Sequence, residues 1–402
     1  MRVTLLMSSL PRPMAGVVRK VALAARGSAL SLFTVGLLGA CGASSSDTES
    51  QANDGLESAT SALVVGSYKI DAVPALISGG TSAAYGINDD GVVAGAAQTS
   101  ASPSHAIRWQ PGTAPKDLGT FAGQSTSTAV GVNKSLQVVG NASVSTVSSQ
   151  AFLYTGPGPL RNLGHLAFGG LMASTQTVSA SGINDSGAVA GTSPLQLGAP
   201  SYAAYTRAFV WKAGTLTDLG SLGDSNSMAS AINASGWITG STATPTAAEH
   251  AFLWKGAALL DLGVCDGATS SQGRAINAAG HVAGWCFWPQ VNGYPNGHPS
   301  MRHAFVWTSE GGVRDLGDLG NRRADVLGIG VDDSVIGFTI TSSGAHRAFI
   351  APLAGALQDL NGVLPAGSGW VLSEARAINT KGQIVGTGTL QGVARGFVLT
   401  PQ

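Results

Sequence analysis

One phrase recurs seven times along this chain, and a fixed period of that kind restricts the fold more than local propensity does. Its first half reads Ile/Val-Asn-x-x-Gly-x-Val/Ile-x-Gly, with Asn88, Asn133, Asn184, Asn233, Asn277 and Asn379 in the second slot and Gly330 there in Ile329-Gly-Val-Asp-Asp-Ser-Val-Ile-Gly337. Asn88 to Asn379 is six steps, a mean of about 48 residues each. The second half follows every time: His105-Ala-Ile-Arg-Trp109, Gln150-Ala-Phe-Leu-Tyr154, Arg207-Ala-Phe-Val-Trp211, His250-Ala-Phe-Leu-Trp254, His303-Ala-Phe-Val-Trp307, Arg347-Ala-Phe-Ile350 and Arg395-Gly-Phe-Val-Leu399. All but the last are then completed by Asp-Leu-Gly or a relative.

Asn-x-x-Gly suits a short hairpin, the Asn side chain closing an Asx turn and the Gly taking positive φ before the chain re-enters a strand. The stretch from His250 to Gly263 reads as two more strands around a tight turn at Lys255-Gly256, which sets His250 directly across from Asp261. Each repeat therefore holds four short strands. Phe and Trp alternate with Ala and Leu in the His250 strand, so both faces are apolar and every sheet has to be covered on both sides. Sheets packed face to face around a ring do this. The predicted fold is all-β, a seven-bladed β-propeller of four-stranded blades, because solenoid coils use shorter periods and a sandwich does not repeat.

The seventh repeat stops at Gln402 with three strands, and an unpaired edge is a liability. Ser67-Tyr-Lys-Ile-Asp-Ala-Val-Pro-Ala-Leu-Ile77 is predicted to supply the fourth, with Asp71 facing Arg395. Elsewhere a cation in the first slot is matched by an acid 11 or 12 residues later: His105 with Asp117, Arg207 with Asp218, His250 with Asp261, His303 with Asp315 and Arg347 with Asp359. Gln150 is matched by Asn162 instead. Charge with charge and amide with amide is what side chains facing across a hairpin show, so these pairs are structural clasps rather than catalytic groups.

The His/Arg-Ala-Phe phrase, Asp-Leu-Gly and Ile-Asn-x-x-Gly together resemble the HAF family of bacterial extracellular repeats, from about residue 67 to the end. The sixth and seventh copies are degraded and the second replaces both polar signatures. The resemblance implies an exported repeat protein of undefined activity and supplies no catalytic residues to carry over.

The rest of the chain concerns its address. Arg2, Arg12, Arg19, Lys20 and Arg26, with no acid among residues 1–40, lead into the apolar run Ala29–Leu38, too short to span a bilayer. Leu38-Gly-Ala-Cys41 resembles the bacterial lipobox, which implies cleavage before Cys41 and lipid on its thiol. Residues 41–66 are a flexible acidic tether. Gly42 in place of aspartate points to the outer membrane or cell surface under the sorting rule of some Gram-negative bacteria. Of the 22 bases only 17 follow residue 40, against 22 acids, a net charge of −5 that argues against a nucleic-acid partner.

Signals for chemistry are few. No nucleophile elbow, phosphate-cradling loop, His-x-x-x-His or paired Cys-x-x-Cys is present, so no cofactor or catalytic residue is assigned. Asp89, Asp90, Asp185, Asp332 and Asp333 fall in turns on one rim but lack the dense spacing of a calcium loop. Cys265 and Cys286, in an oxidising compartment, are expected to form a disulfide. The loop Trp285–Met301 in the fifth repeat is expanded, and its Trp285, Trp288, Tyr294 and His298 are the candidate ligand-binding residues. The sequence therefore predicts a monomeric, lipid-anchored binding or scaffold propeller, its partner a glycan or envelope protein. A propeller enzyme of lyase or glycosidase type with a channel-centred site, or a purely structural envelope protein, are the alternatives.

Overall fold

The computed structural model describes residues 67–402 except 101–102, 146–147, 167–176, 197–203, 224, 290–300, 318–322, 342 and 354. Cys41, the leader and the tether lie outside these residues. Twenty-eight strands among the described residues form seven antiparallel four-stranded sheets. Blade 4 is representative: Ser227–Ile232, Ile238–Ala243, Glu249–Trp254 and Leu259–Gly263 pair in that order. The first strand of each blade touches the first strand of the next, and that of blade 7, Trp370–Ile378, returns to that of blade 1, Ser82–Ile87. The molecule is thus a seven-bladed β-propeller.

Blade 7 takes its outer strand from Tyr68–Ala72, which pairs with Val393–Pro401 and joins the two ends of the propeller. The register differs by one residue from the expected one. Asp71 lies opposite Val398, whereas Ala72 lies opposite Phe397 in the place that Asp261 takes opposite Phe252. Since neighbouring side chains leave a strand on opposite faces, Asp71 points away from Arg395. It pairs with Lys69 at 3.0 Å, and Arg395 donates to the Gly80 carbonyl.

The repeat phrases have separable physical tasks. Ile107, Phe152, Phe209, Phe252, Phe305, Phe349 and Phe397 are each almost wholly buried, one per blade, and each such side chain stabilises the fold by roughly 1.5–3 kcal/mol. Opposite each stands the last glycine of the Asn phrase, as Gly240 stands opposite Phe252. A Cβ at Gly240 would overlap the Met228 carbonyl oxygen, which approaches where the first strand is bulged between Ala229 and Ala231. In Asp-Leu-Gly, Asp261 accepts from the Gly263 N–H at 2.8 Å, Leu262 is buried between blades, and Gly263 takes φ 76°.

The asparagines join the blades into a belt. Each caps its own turn by accepting from the backbone N–H four residues on, as Asn233 does from Trp237 at 3.0 Å. Each then donates to the carbonyl of its counterpart in the next blade: Asn88 to Asn133, Asn133 to Asn184, Asn184 to Asn233, Asn233 to Asn277, Asn277 to Gly330, and Asn379 back to Asn88, at 2.9–3.2 Å. Only Gly330 lacks the side chain to continue this run, and there Asp332 caps the turn by accepting from Ser334 N at 3.1 Å.

The clasps are partly as expected. His105 Nδ1 lies 3.0 Å from Asp117, His250 Nδ1 2.9 Å from Asp261, His303 Nδ1 3.0 Å from Asp315, and Arg347 Nη1 3.4 Å from Asp359. Asn162 donates to Gln150 at 3.0 Å. These partners meet diagonally rather than face to face, because Trp254 pairs with Leu259 and the turn spans residues 255–258 instead of Lys255-Gly256 alone. Arg207 is the exception: it donates to Ser221 Oγ at 2.7 Å, packs over Tyr205, and leaves Asp218 capping Gly220.

Candidate functional site

The first strands alternate between two duties, since successive side chains face opposite ways. One set packs between blades; the other faces the channel and ends in a collar of Ile87, Val132, Ile183, Ile232, Ile276, Ile329 and Ile378. These seven residues line both channel cavities, so the collar is apolar throughout. On the side of the asparagine turns lies a cavity of about 430 Å³ with Asp89, Asp90, Asp185, Lys134 and Lys381 on its rim. Its carboxylates serve the blade junctions: Asp89 accepts from Thr380 N at 3.0 Å and Asp185 from Lys134 N at 2.9 Å. Asp333 receives Asn277 Nδ2 and lies beside His281 Nδ1, both at 2.8 Å. Among the described residues no three His, Cys, Asp or Glu side chains are gathered to hold a metal ion.

The opposite side is asymmetric. One step from the collar, blades 1 to 7 present Tyr85, Val130, Ser181, Ser230, Arg274, Leu327 and Arg376 to the channel. In these slots charge occurs only in blades 5 and 7, and a depression of about 530 Å³ lined by blades 4 to 6 opens beside the channel mouth. Glu249, Gln272, Arg274, Arg302, Arg323 and Asp325 give it charge and hydrogen-bonding groups, and Trp285, Phe287 and Phe338 wall it.

Most of this charge is paired. Asp325 is nearly buried and sits 2.6 Å from Arg302 Nη1 and 2.9 Å from Arg323 Nε. Arg302 also lies over the Trp285 ring, 4.1 Å from its centroid. Gln272 Nε2 donates to Glu249 at 2.9 Å. Beside the depression Glu374 receives Arg376 and lies 2.9 Å from His346 Nδ1, while Arg376 covers Tyr85. Arg274 differs: among the described residues it has no hydrogen-bond or ion-pair partner, and it lines both the depression and the channel cavity. Burial pulls its pKa below the usual arginine value; Asp325 opposes that shift, while Arg302 and Arg376 add to it.

The two described candidate ligand residues from the sequence, Trp285 and Trp288, lie on opposite faces of one strand. Trp285 is not in a loop: the second strand of blade 5 runs Val282–Trp288, and Trp285 is mostly buried in the wall of the depression. Trp288, on the other face of that strand, packs against His303 with centroids 4.2 Å apart and the rings tilted by 41°. Tyr294 and His298 lie outside the described residues. Cys265 and Cys286 form a disulfide with Cα atoms 5.8 Å apart, tying that strand to the link from blade 4. Sequence reasoning missed Arg274, Arg302, Asp325 and Arg376; for Arg274, Asp325 and Arg376 the available signal was their departure from the uncharged residues in the same slots of blades 1 to 4.

The chain matches no protein-family model and no curated protein. It is similar in structure to the β-propeller domain of the trilobed protease from Pyrococcus furiosus, at 12% identity over 68% of this chain and 82% of that one, with a TM-score of 0.47. The BP39L lectin from Burkholderia pseudomallei aligns at 8% identity over 79% of this chain and 94% of that one, TM-score 0.45. The polysaccharide lyase Uly1 aligns at 10% identity over 84% of this chain and 100% of that one, TM-score 0.47.

Proposed function

We propose that this is an exported HAF-type repeat protein, anchored through lipid on Cys41 at the outer membrane or cell surface, whose propeller binds a ligand in the depression of blades 5 and 6. The observation that carries the reading is the break in ring symmetry: charged and aromatic side chains gather beside one sector of the channel mouth, while the same slots of blades 2 to 4 hold Val130, Ser181 and Ser230. A purely structural ring has no physical need of such a sector. Aromatic walls with amide, carboxylate and guanidinium groups suit a glycan better than an apolar molecule. The address is tested by fractionation and mass spectrometry: Cys41→Ala should release the protein from membranes, and an unmodified amino terminus on the parent overturns the anchor. Binding is tested on a glycan array and by pull-down from envelope extracts; the absence of any ligand in both overturns it.

One observation favours a second reading, an enzyme at the channel mouth. His346 is oriented by Glu374 and lies near the Arg376–Tyr85 pair, an arrangement that suits a proton-transfer group. Against it, Asp325 and Glu374 are already engaged in ion pairs with arginines. Release of new chain ends from any glycan that binds decides between the two.

A further inference from the structure

A guanidinium is costly to take out of water without partners, because its donors then lose hydration and gain nothing. Arg302 and Arg323 avoid that cost through Asp325, and Arg376 through Glu374. Arg274 has no such partner among the described residues, although it stands on the first strand of blade 5, Ser270–Ile276, between two cavities. Glu249, the other acid of the depression, is engaged with Gln272 at 2.9 Å. The depression therefore holds three arginines and two acids, a net charge of +1, and of the three only Arg274 has no carboxylate partner among the described residues. Its fork of donors matches a planar or tetrahedral oxyanion, and the Gln272 and Glu249 side chains beside it suit ring hydroxyls. At about 530 Å³ the depression is in the range of small-molecule sites.

We infer that the ligand is an acidic saccharide whose carboxylate or sulfate group seats on Arg274. This rests on the reading of the depression as a binding site and names the chemistry it selects. The anion replaces the water lost by Arg274, while Arg302 and Arg323 stay with Asp325 and set the floor. Replacing Arg274 should accordingly weaken binding without weakening the fold.

The test is calorimetric titration of the full-length protein in detergent with uronate oligosaccharides, sulfated oligosaccharides and neutral glucose oligomers, alongside Arg274→Gln and Arg274→Lys. Expected are binding of one acidic series, weakened by rising salt, a loss of about 30-fold or more in Arg274→Gln, and partial retention in Arg274→Lys. Arg274→Gln should melt no lower than the parent, since an unpaired cation has been removed. Which acidic series binds identifies the anion as carboxylate or sulfate. Neutral oligomers bound as well as acidic ones, or binding unchanged in Arg274→Gln, overturns the inference while leaving a binding depression in place. No binding in any series overturns both. A lower melting temperature in both variants shows that Arg274 is structural and overturns the inference.

Discussion

Asn233→Ala isolates one link of the asparagine belt. The side chain accepts from Trp237 N at 3.0 Å and donates to the Asn277 carbonyl at 2.9 Å, and Asn233 is buried. Alanine removes both bonds at a buried position. An orphaned N–H at this depth costs about 1–3 kcal/mol. The Asn277 carbonyl keeps the Gly280 N–H at 3.0 Å, so its loss is that of an ordinary hydrogen bond, about 0.5–1.5 kcal/mol. The sum is about 3 kcal/mol, a large share of the roughly 5–15 kcal/mol by which a folded protein is stable. Urea unfolding followed by tryptophan fluorescence and far-ultraviolet circular dichroism measures it. Asn233→Asp separates the two terms, since it keeps the acceptor for Trp237 and replaces the donor toward Asn277. An alanine variant within about 0.5 kcal/mol of the parent would refute the belt as a source of stability.

Gly240→Ala should abolish folding or destabilise by at least about 3 kcal/mol, while Gly256→Ala, at φ 99° in open space, should cost about 1 kcal/mol; equal losses in denaturant melts would mean that backbone angle rather than close approach decides both. Reduction, or Cys265→Ser with Cys286→Ser, removes a crosslink spanning 21 residues and should cost about 3 kcal/mol by calorimetry, with an unchanged melting temperature counting against the bond. Asp71→Ala should be nearly silent, whereas Ala72→Asp places a carboxylate where Arg395 can meet it and should add about 0.5 kcal/mol; the reverse order in thermal melts would contradict the register of the closing strand.

The architecture was legible because the repeat reports it seven times. A glycine beneath each phenylalanine and an asparagine at each first turn are demands of the blade, so they recur and can be read by comparing the chain with itself. Closure by the amino-terminal strand was legible from strand count alone. Its register was not, because the segment lacks Asp-Leu-Gly: Ala72, Val73 and Pro74 occupy those three slots, and Val73 N still donates to Gly396 O at 2.8 Å. The one available acid was assigned to the clasp, one position too early. Arg207 misled for a related reason: Ser221 offers a hydroxyl at 2.7 Å, a contact that no spacing rule contains.

The candidate site was hidden by the same repetition. On each first strand the residues that pack between blades recur, and so does the collar, while the channel-facing residues before the collar vary from blade to blade. A reading that seeks what the copies share discards Arg274, Leu327 and Arg376 along with Ser181 and Ser230, and is drawn instead to long loops and aromatics. The informative quantity is the residual after the repeat is subtracted. In the two channel-facing slots before the collar, blades 1 to 4 hold Ala83 and Tyr85, Thr128 and Val130, Ser179 and Ser181, and Met228 and Ser230, whereas blades 5 to 7 hold Gln272 and Arg274, Asp325 and Leu327, and Glu374 and Arg376. All four charged residues fall in the last three blades. Packing of the ring makes no such distinction between sectors, since the collar and the belt pass through all seven blades with one interruption at Gly330. In a closed ring of equivalent blades, selection for stability acts on every copy alike, and a charge pattern confined to one sector is what the proposed ligand, approaching from one side, would leave.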